Sequence, residues 1–197
     1  MTAQDEVADL LAAGDPGSTV RVGDGLELSP GLDLTVASGS TLDVGEGCVI
    51  RRDVEIRVTG GATVRLGRSV KLDRGVRIIA TNGSTVAIGE GTAIGLGSVL
   101  NGGDDLMIGR QCLVSGYVYL QTSMHRFAAG TPIREQGYDH APVVLGDDVW
   151  LGTHVTILPG CNLADGTVVG SNAVLRTSTQ KEEIWAGVPA RCVGQRG

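Results

Sequence analysis

An aliphatic residue returns every six positions through most of this chain, and that period narrows the possible folds more than any other feature. The series begins Val22, Leu28, Leu34 and continues Val44, Ile50, Ile56, then Leu66, Leu72, Ile78. It runs on through Ile88, Ile94, Leu100, Ile108, Val114 and Leu120. Within each group of three the step is six; between groups it is ten, ten, ten and eight, so one turn takes 22 or 20 residues. The added residues resemble one another: Ser38-Gly39-Ser40-Thr41, Gly60-Gly61-Ala62-Thr63 and Asn82-Gly83-Ser84-Thr85. They read as one corner of successive turns, bulged each time in the same way. From Leu145 to Leu175 the step is a strict six.

Four residues after each aliphatic stands a small or branched residue, among them Cys48, Val54, Val70, Thr92, Ser98, Cys112, Val155, Cys161 and Ala173. Glycine often follows the aliphatic directly, as in Ile88-Gly89, Ile108-Gly109 and Leu151-Gly152. A period of two makes a strand, whereas a period of six makes three short strands meeting at corners. Both residue classes then point inward and stack on their copies about 4.8 Å above and below. The fold class is all-β, a parallel β-helix of about seven triangular coils.

Composition agrees. Aromatic residues make up 3% of the chain, so the core is built from Val, Ile, Leu and Ala, and the 31 glycines fall at regular intervals. A net charge of −6 without a basic cluster argues against nucleic acid as a partner. Three of the four cysteines, Cys48, Cys112 and Cys161, occupy the small inward slot and read as compact apolar residues; Cys192 has no assignment. No apolar run reaches the roughly 20 residues of a membrane span, and the acidic N-terminus is unlike a secretory signal. The expectation is a cytoplasmic protein with no membrane insertion. Residues 1–14 read as a short helix stopped at Gly14, covering the first rung, so the chain divides into a capping segment (1–16), the coil (17–177) and a tail (178–197).

The repeat stops once, from Gln121 to Pro142, and this ejected loop carries two of the three histidines, His125 and His140. A regular scaffold that releases one long, chemically rich loop usually carries its function there.

The array resembles the left-handed β-helix of the hexapeptide-repeat acyltransferases; the hand comes from that resemblance, since the usual crossover preference is the opposite. The segment SMHRFAAGTPIREQGYDHAPVVLGDDVWLGTHVTILPG, Ser123 to Gly160, resembles the catalytic region of the sugar O-acetyltransferases. That group contains the galactoside, maltose and nodulation acetyltransferases. PIREQG at Pro132–Gly137 points to the branch acting on polysaccharide or lipopolysaccharide sugars, and the tail AGVPARCVG at Ala186–Gly194 is similar to the family's closing motif. The resemblance implies acetyl-CoA as donor, no metal, and a homotrimer with its sites between subunits.

By the same resemblance His125, 17 residues after Ile108, is the catalytic histidine. A sugar hydroxyl is a weak nucleophile at neutral pH, and imidazole can take its proton as it attacks a thioester. On the donor side the resemblance implies Trp150, Gly152, Thr153 through its backbone N–H, Ser171, and Arg191 at the nucleotide phosphates. Trp150 reads equally as packing against the loop. Relatives often carry Thr-Lys where this chain has Arg176-Thr177, which displaces the cation by one residue. For the acceptor, Asn101 and Asp104 lie on the preceding rung, while Arg134 and Glu135 either reach the acceptor or pair within the loop. His140 shapes the loop or touches the acceptor, and His154 stands on an outward corner.

No serine or cysteine is seen beside a base in the sequence, so the transfer is expected to be direct, without an acyl-enzyme. Alternatives keep the donor and change the acceptor to an amino sugar or an antibiotic alcohol. A γ-carbonic anhydrase would need three histidines on zinc, against spacings of 15 and 14 residues here. A non-catalytic scaffold would bind no coenzyme A.

Overall fold

The computed structural model describes residues 14–197; the expected N-terminal helix lies outside the described residues. The period of six becomes three parallel sheets wound by one chain into a left-handed prism. The first sheet stacks seven strands from Thr19–Val22 through Leu106–Ile108 and Val143–Leu145 to Asn162–Leu163. The second runs from Glu27–Leu28 through Leu113–Val114 and Trp150–Leu151 to Val168–Val169, and ends on two strands of the tail. The third runs from Asp33–Val36 through Val99–Gly102 and Tyr119–Gln121 to Val174–Leu175. Register follows the sequence period: Val22 lies beside Val44, Val44 beside Leu66, Ile88 beside Ile108, and Ile108 beside Leu145 across the ejected loop.

The aliphatic series fills the axis, with Ile50, Leu72, Ile94 and Leu151 all essentially inaccessible. The small slot is equally buried, and its polar members bond to the next rung. Thr92 Oγ1 donates to the Gly109 carbonyl at 2.8 Å, and Ser98 Oγ to the Ser115 carbonyl at 3.0 Å. Cysteine does the same more weakly, Cys48 Sγ reaching the Gly67 carbonyl and Cys112 Sγ the Gly146 carbonyl, each at 3.1 Å. The glycine after the aliphatic is explained by closeness of rungs. A Cβ on Gly109 would lie 2.3 Å from the Gly146 carbonyl oxygen.

The tail closes the last rung. Glu183–Ala186 extends the second sheet in parallel, and Arg191–Gln195 folds back antiparallel to it. Arg196 pins that edge by donating to the Asp148 carboxylate at 2.7 Å. No helix among the described residues is long and apolar enough to cross a membrane.

Candidate functional site

The ejected loop leaves at the corner between the third and first sheets, where earlier rungs carry the glycine turns. Its root is fixed by Thr122, which sequence reasoning missed. This buried hydroxyl donates to the Asn101 carbonyl at 3.0 Å and accepts the Asp104 N–H at 2.9 Å, while the Ala141 N–H closes onto the Thr122 carbonyl. Beyond the root the chain forms an antiparallel ribbon of Ser123–His125 and Tyr138–His140. The tip is folded around the Gln136 amide, which accepts the Ala128 N–H at 2.8 Å and donates to the Thr131 carbonyl at 2.7 Å.

The ribbon presents the two histidines on one face. His125 is exposed and lies against the Tyr138 ring, centroids 4.1 Å apart and planes 32° apart. His140 Nδ1 is 2.8 Å from Ser123 Oγ. The premise that no serine faces a base therefore fails. The pair is separated by 17 residues and meets only because the ribbon brings its two ends together.

Between this face and the third sheet lies a cavity of about 560 Å³. Asn101, Tyr119, Gln121 and Ser123 offer polar groups to it, and Phe127 and Ile133 form an apolar wall. Asn101 Nδ2 donates to the Tyr119 hydroxyl at 3.1 Å, so both polar groups are held in place. Asp104 is turned to its own corner, its carboxylate accepting the Asp105 N–H at 2.7 Å. Arg134 and Glu135 sit on an exposed 3₁₀ turn, Ile133–Glu135, and approach each other at 3.8 Å, outside the cavity lining.

The expected donor residues divide between two corners. Trp150, Gly152, Thr153 and Ser171 belong to the second sheet and the corner that follows it. Gly152 is pressed to Ser171, whose N–H would be 2.6 Å from a Cβ there, and Thr153 Oγ1 donates to the Gly116 carbonyl at 2.8 Å. The Trp150 indole N–H donates to Ser115 Oγ at 3.3 Å, and the ring, half exposed, borders a cavity of about 480 Å³ with Leu113, Lys71 and Arg51. The two basic residues of that cavity were not expected. Arg176 and Thr177 instead follow the third sheet, at the corner that releases the loop, and Arg191 lies on the tail strand with its guanidinium on the Ala190 carbonyl. Within one chain, His125 and Thr153 thus stand at opposite edges of the third sheet.

His154 stacks on Tyr117, and the described residues hold no group of three His, Cys, Asp or Glu placed for a metal ion.

A model of the bacterial transferase hexapeptide (six repeats) matches residues 142–177. A probable acetyltransferase of Mycobacterium tuberculosis is 36% identical over 104 residues, covering 52% of this chain and 35% of the relative. The putative lipopolysaccharide biosynthesis O-acetyl transferase WbbJ of Escherichia coli is 34% identical over 98 residues, covering 46% of this chain and 50% of the relative. The chain thus spans half or less of the length of both. Among solved structures, the polysialic acid O-acetyltransferase OatWY superposes with a TM-score of 0.78 at 22% identity, over 92% of this chain and 86% of that one. A variant of AntD, an N-acyltransferase of Bacillus cereus solved with dTDP-4-amino-4,6-dideoxyglucose and coenzyme A, gives a TM-score of 0.63 at 18% identity, over 100% and 90%. These two likenesses concern the fold. The hexapeptide repeat of that model is thus matched over residues 142–177, and over about half of its length the chain is similar to proteins named as acetyltransferases.

Proposed function

We propose that this protein transfers an acetyl group from acetyl-CoA to a sugar hydroxyl in the cytoplasm, with His125 as general base. The observation that carries the reading is an exposed imidazole, lying against the tilted Tyr138 ring, at the mouth of a cavity that pairs fixed hydrogen-bonding groups with an apolar wall. Sugars are bound by that combination, polar groups fixing hydroxyls and apolar surface covering C–H faces. The acetyltransferase names of the two curated relatives support the transferred group, and WbbJ supports a sugar acceptor.

In the proposed reaction His125 accepts the proton of the acceptor hydroxyl while its oxygen attacks the thioester carbonyl. The negative charge developing on the carbonyl oxygen meets the Thr153 N–H, and His125 returns its proton to the departing thiolate. Because His125 and Thr153 lie at opposite edges of one prism, the complete site joins the loop of one copy to the Gly152–Thr153 corner of another. A homotrimer with three such clefts satisfies this through a cyclic arrangement. Trp150 then borders the pantetheine arm, and Arg176, Thr177 and Arg191 lie where the nucleotide phosphates end.

Turnover of acetyl-CoA with a panel of neutral, acidic and amino sugars tests the reading. His125→Ala is expected to lose about 10²–10⁴-fold in kcat. Preference for an amino sugar would move the acceptor to nitrogen, and retention of activity by His125→Ala would remove the base.

A further inference from the structure

Side chains alternate across a two-stranded ribbon, so cross-strand partners share a face. Ser123 is opposite His140 and His125 opposite Tyr138, which puts all four on one side, with Met124 and Asp139 on the other. Contacts on the shared side run in order from the coil to the imidazole. Gly103, on the corner of the preceding rung, leaves no room for a Cβ, which would stand 2.2 Å from Ser123 Oγ and 3.4 Å from His140 Nδ1. Ser123 Oγ meets His140 Nδ1 at 2.8 Å. The His140 ring faces Tyr138 at 6.1 Å, and Tyr138 lies on His125 at 4.1 Å.

We infer that Tyr138 is the positioning residue of His125, and that the Ser123–His140 hydrogen bond holds Tyr138 in register. This rests on the reading of His125 as base and supplies what that reading lacks, a group that orients the ring. An exposed imidazole at the end of a short strand has several staggered wells open to it. A carboxylate commonly fixes such a ring, but Asp139, the acid next to Tyr138, is on the opposite side of the ribbon and bound to Arg126 Nε at 2.6 Å. The Tyr138 ring at 4.1 Å and 32° performs that restriction, since an imidazole in another rotamer would lose this tilted ring contact. The hydrogen bond one pair nearer the coil matters because a one-residue slip would turn Tyr138 to the far face. The close fit at Gly103 ties this register to the rigid prism.

The test compares Tyr138→Phe, which keeps the ring, with Tyr138→Ala, in the full-length assembled protein. Tyr138→Phe is expected to keep kcat close to that of the parent. Tyr138→Ala should lose about 10²-fold in kcat with the KM for acetyl-CoA unchanged. In NMR spectra, the His125 ring resonances should be displaced from those of an exposed histidine in the parent and in Tyr138→Phe, and return to them in Tyr138→Ala. Ser123→Ala and His140→Ala should weaken the displacement and lower kcat at an unchanged melting temperature. Full kcat in Tyr138→Ala, or undisplaced His125 resonances in the parent, overturns the assignment of Tyr138. Displaced resonances together with an active His125→Ala variant would instead leave the ring contact standing and remove the base.

Discussion

Arg110 and Asp147 join the two rungs that the ejected loop separates. Both Nε and Nη2 of the guanidinium donate to one carboxylate oxygen at 3.1 and 2.7 Å, and the Arg110 N–H donates to the other at 2.7 Å. Arg110 holds the Asp147 carboxyl below its ordinary pKa by hydrogen bonding and by charge. Glu55 is lowered in the same direction by Arg77, and Glu183 by the Gln180 N–H and the Trp185 indole. A carboxylate depressed in the folded state contributes stability that is present above its unfolded pKa, near 4, and is lost as pH falls through the lower folded value. The melting temperature is therefore expected to be level from about pH 8 to about pH 5 and to decline below about pH 4. Asp147→Asn should lower the melting temperature at neutral pH and have little effect at acid pH. An equal effect at both pH values would refute the link.

Two glycines separate two mechanisms that a repeat sequence confuses. Gly109 has no unusual backbone angle, and a Cβ there strikes the Gly146 carbonyl oxygen at 2.3 Å. Backbone of a neighbouring rung cannot move aside alone, so Gly109→Ala should cost about 2 kcal/mol as overpacking. Gly83 has open space around a would-be Cβ but adopts φ +71°. Gly83→Ala should cost about 1 kcal/mol through the left-handed conformation, and Gly83→Asn less, since asparagine tolerates it. Urea unfolding of these three variants and of Gly109→Asn checks the order; a Gly109→Asn variant more stable than Gly109→Ala would contradict it.

The prism was legible because each rung restates the same inward pattern, so the register Val22, Val44, Leu66, Ile88 follows from counting. Cys48, Cys112 and Cys161 were legible for the same reason, all three being buried in the small slot. The chemistry inside the loop was not. Ser123 meets His140, and His125 meets Tyr138, only after Gln136 has folded the tip and Thr122 has fixed the root. Neither residue type nor spacing carries that information. The stacking of Tyr117 on His154, planes 7° apart, shows the difference sharply. The two residues are 37 apart, like Ile108 and Leu145, so they become corner neighbours once the loop is removed from the count. Among the expected donor residues, Arg176 and Thr177 stand on another corner than Trp150, because Val168 is the residue one turn above Trp150 and the next strand, Val174–Leu175, belongs to the third sheet.

Trp150 distinguishes donor binding from simple packing. Its indole is anchored at one edge by Ser115, its ring is half exposed, and the cavity beside it is lined by Leu113 and Lys71. An aromatic face covering a ligand arm contributes to binding, whereas one that only covers the coil contributes to stability. Trp150→Ala is expected to weaken coenzyme A binding about tenfold, near 1.4 kcal/mol, with little change in melting temperature. Calorimetric titration of the parent and variant measures the first, and thermal unfolding the second. Loss of stability at unchanged affinity would assign the indole to packing.

The four cysteines offer a check on the coil that is independent of catalysis. Burial raises the pKa of the Cys48, Cys112 and Cys161 thiols above the ordinary value, and each points to the axis with its sulfur near a carbonyl oxygen. The thiolate is the reactive form, so these three combine low access with a low thiolate fraction. Cys192 lies exposed on the last strand of the tail. In native protein a small thiol reagent is therefore expected to label Cys192 alone, and all four only after unfolding. Labelling at Cys112 in native protein would mean that the rung beneath the ejected loop opens, since Cys112 bonds to the Gly146 carbonyl just beyond the loop's return. Repeating the experiment with Asp147→Asn would show whether the Arg110 clamp keeps that rung closed.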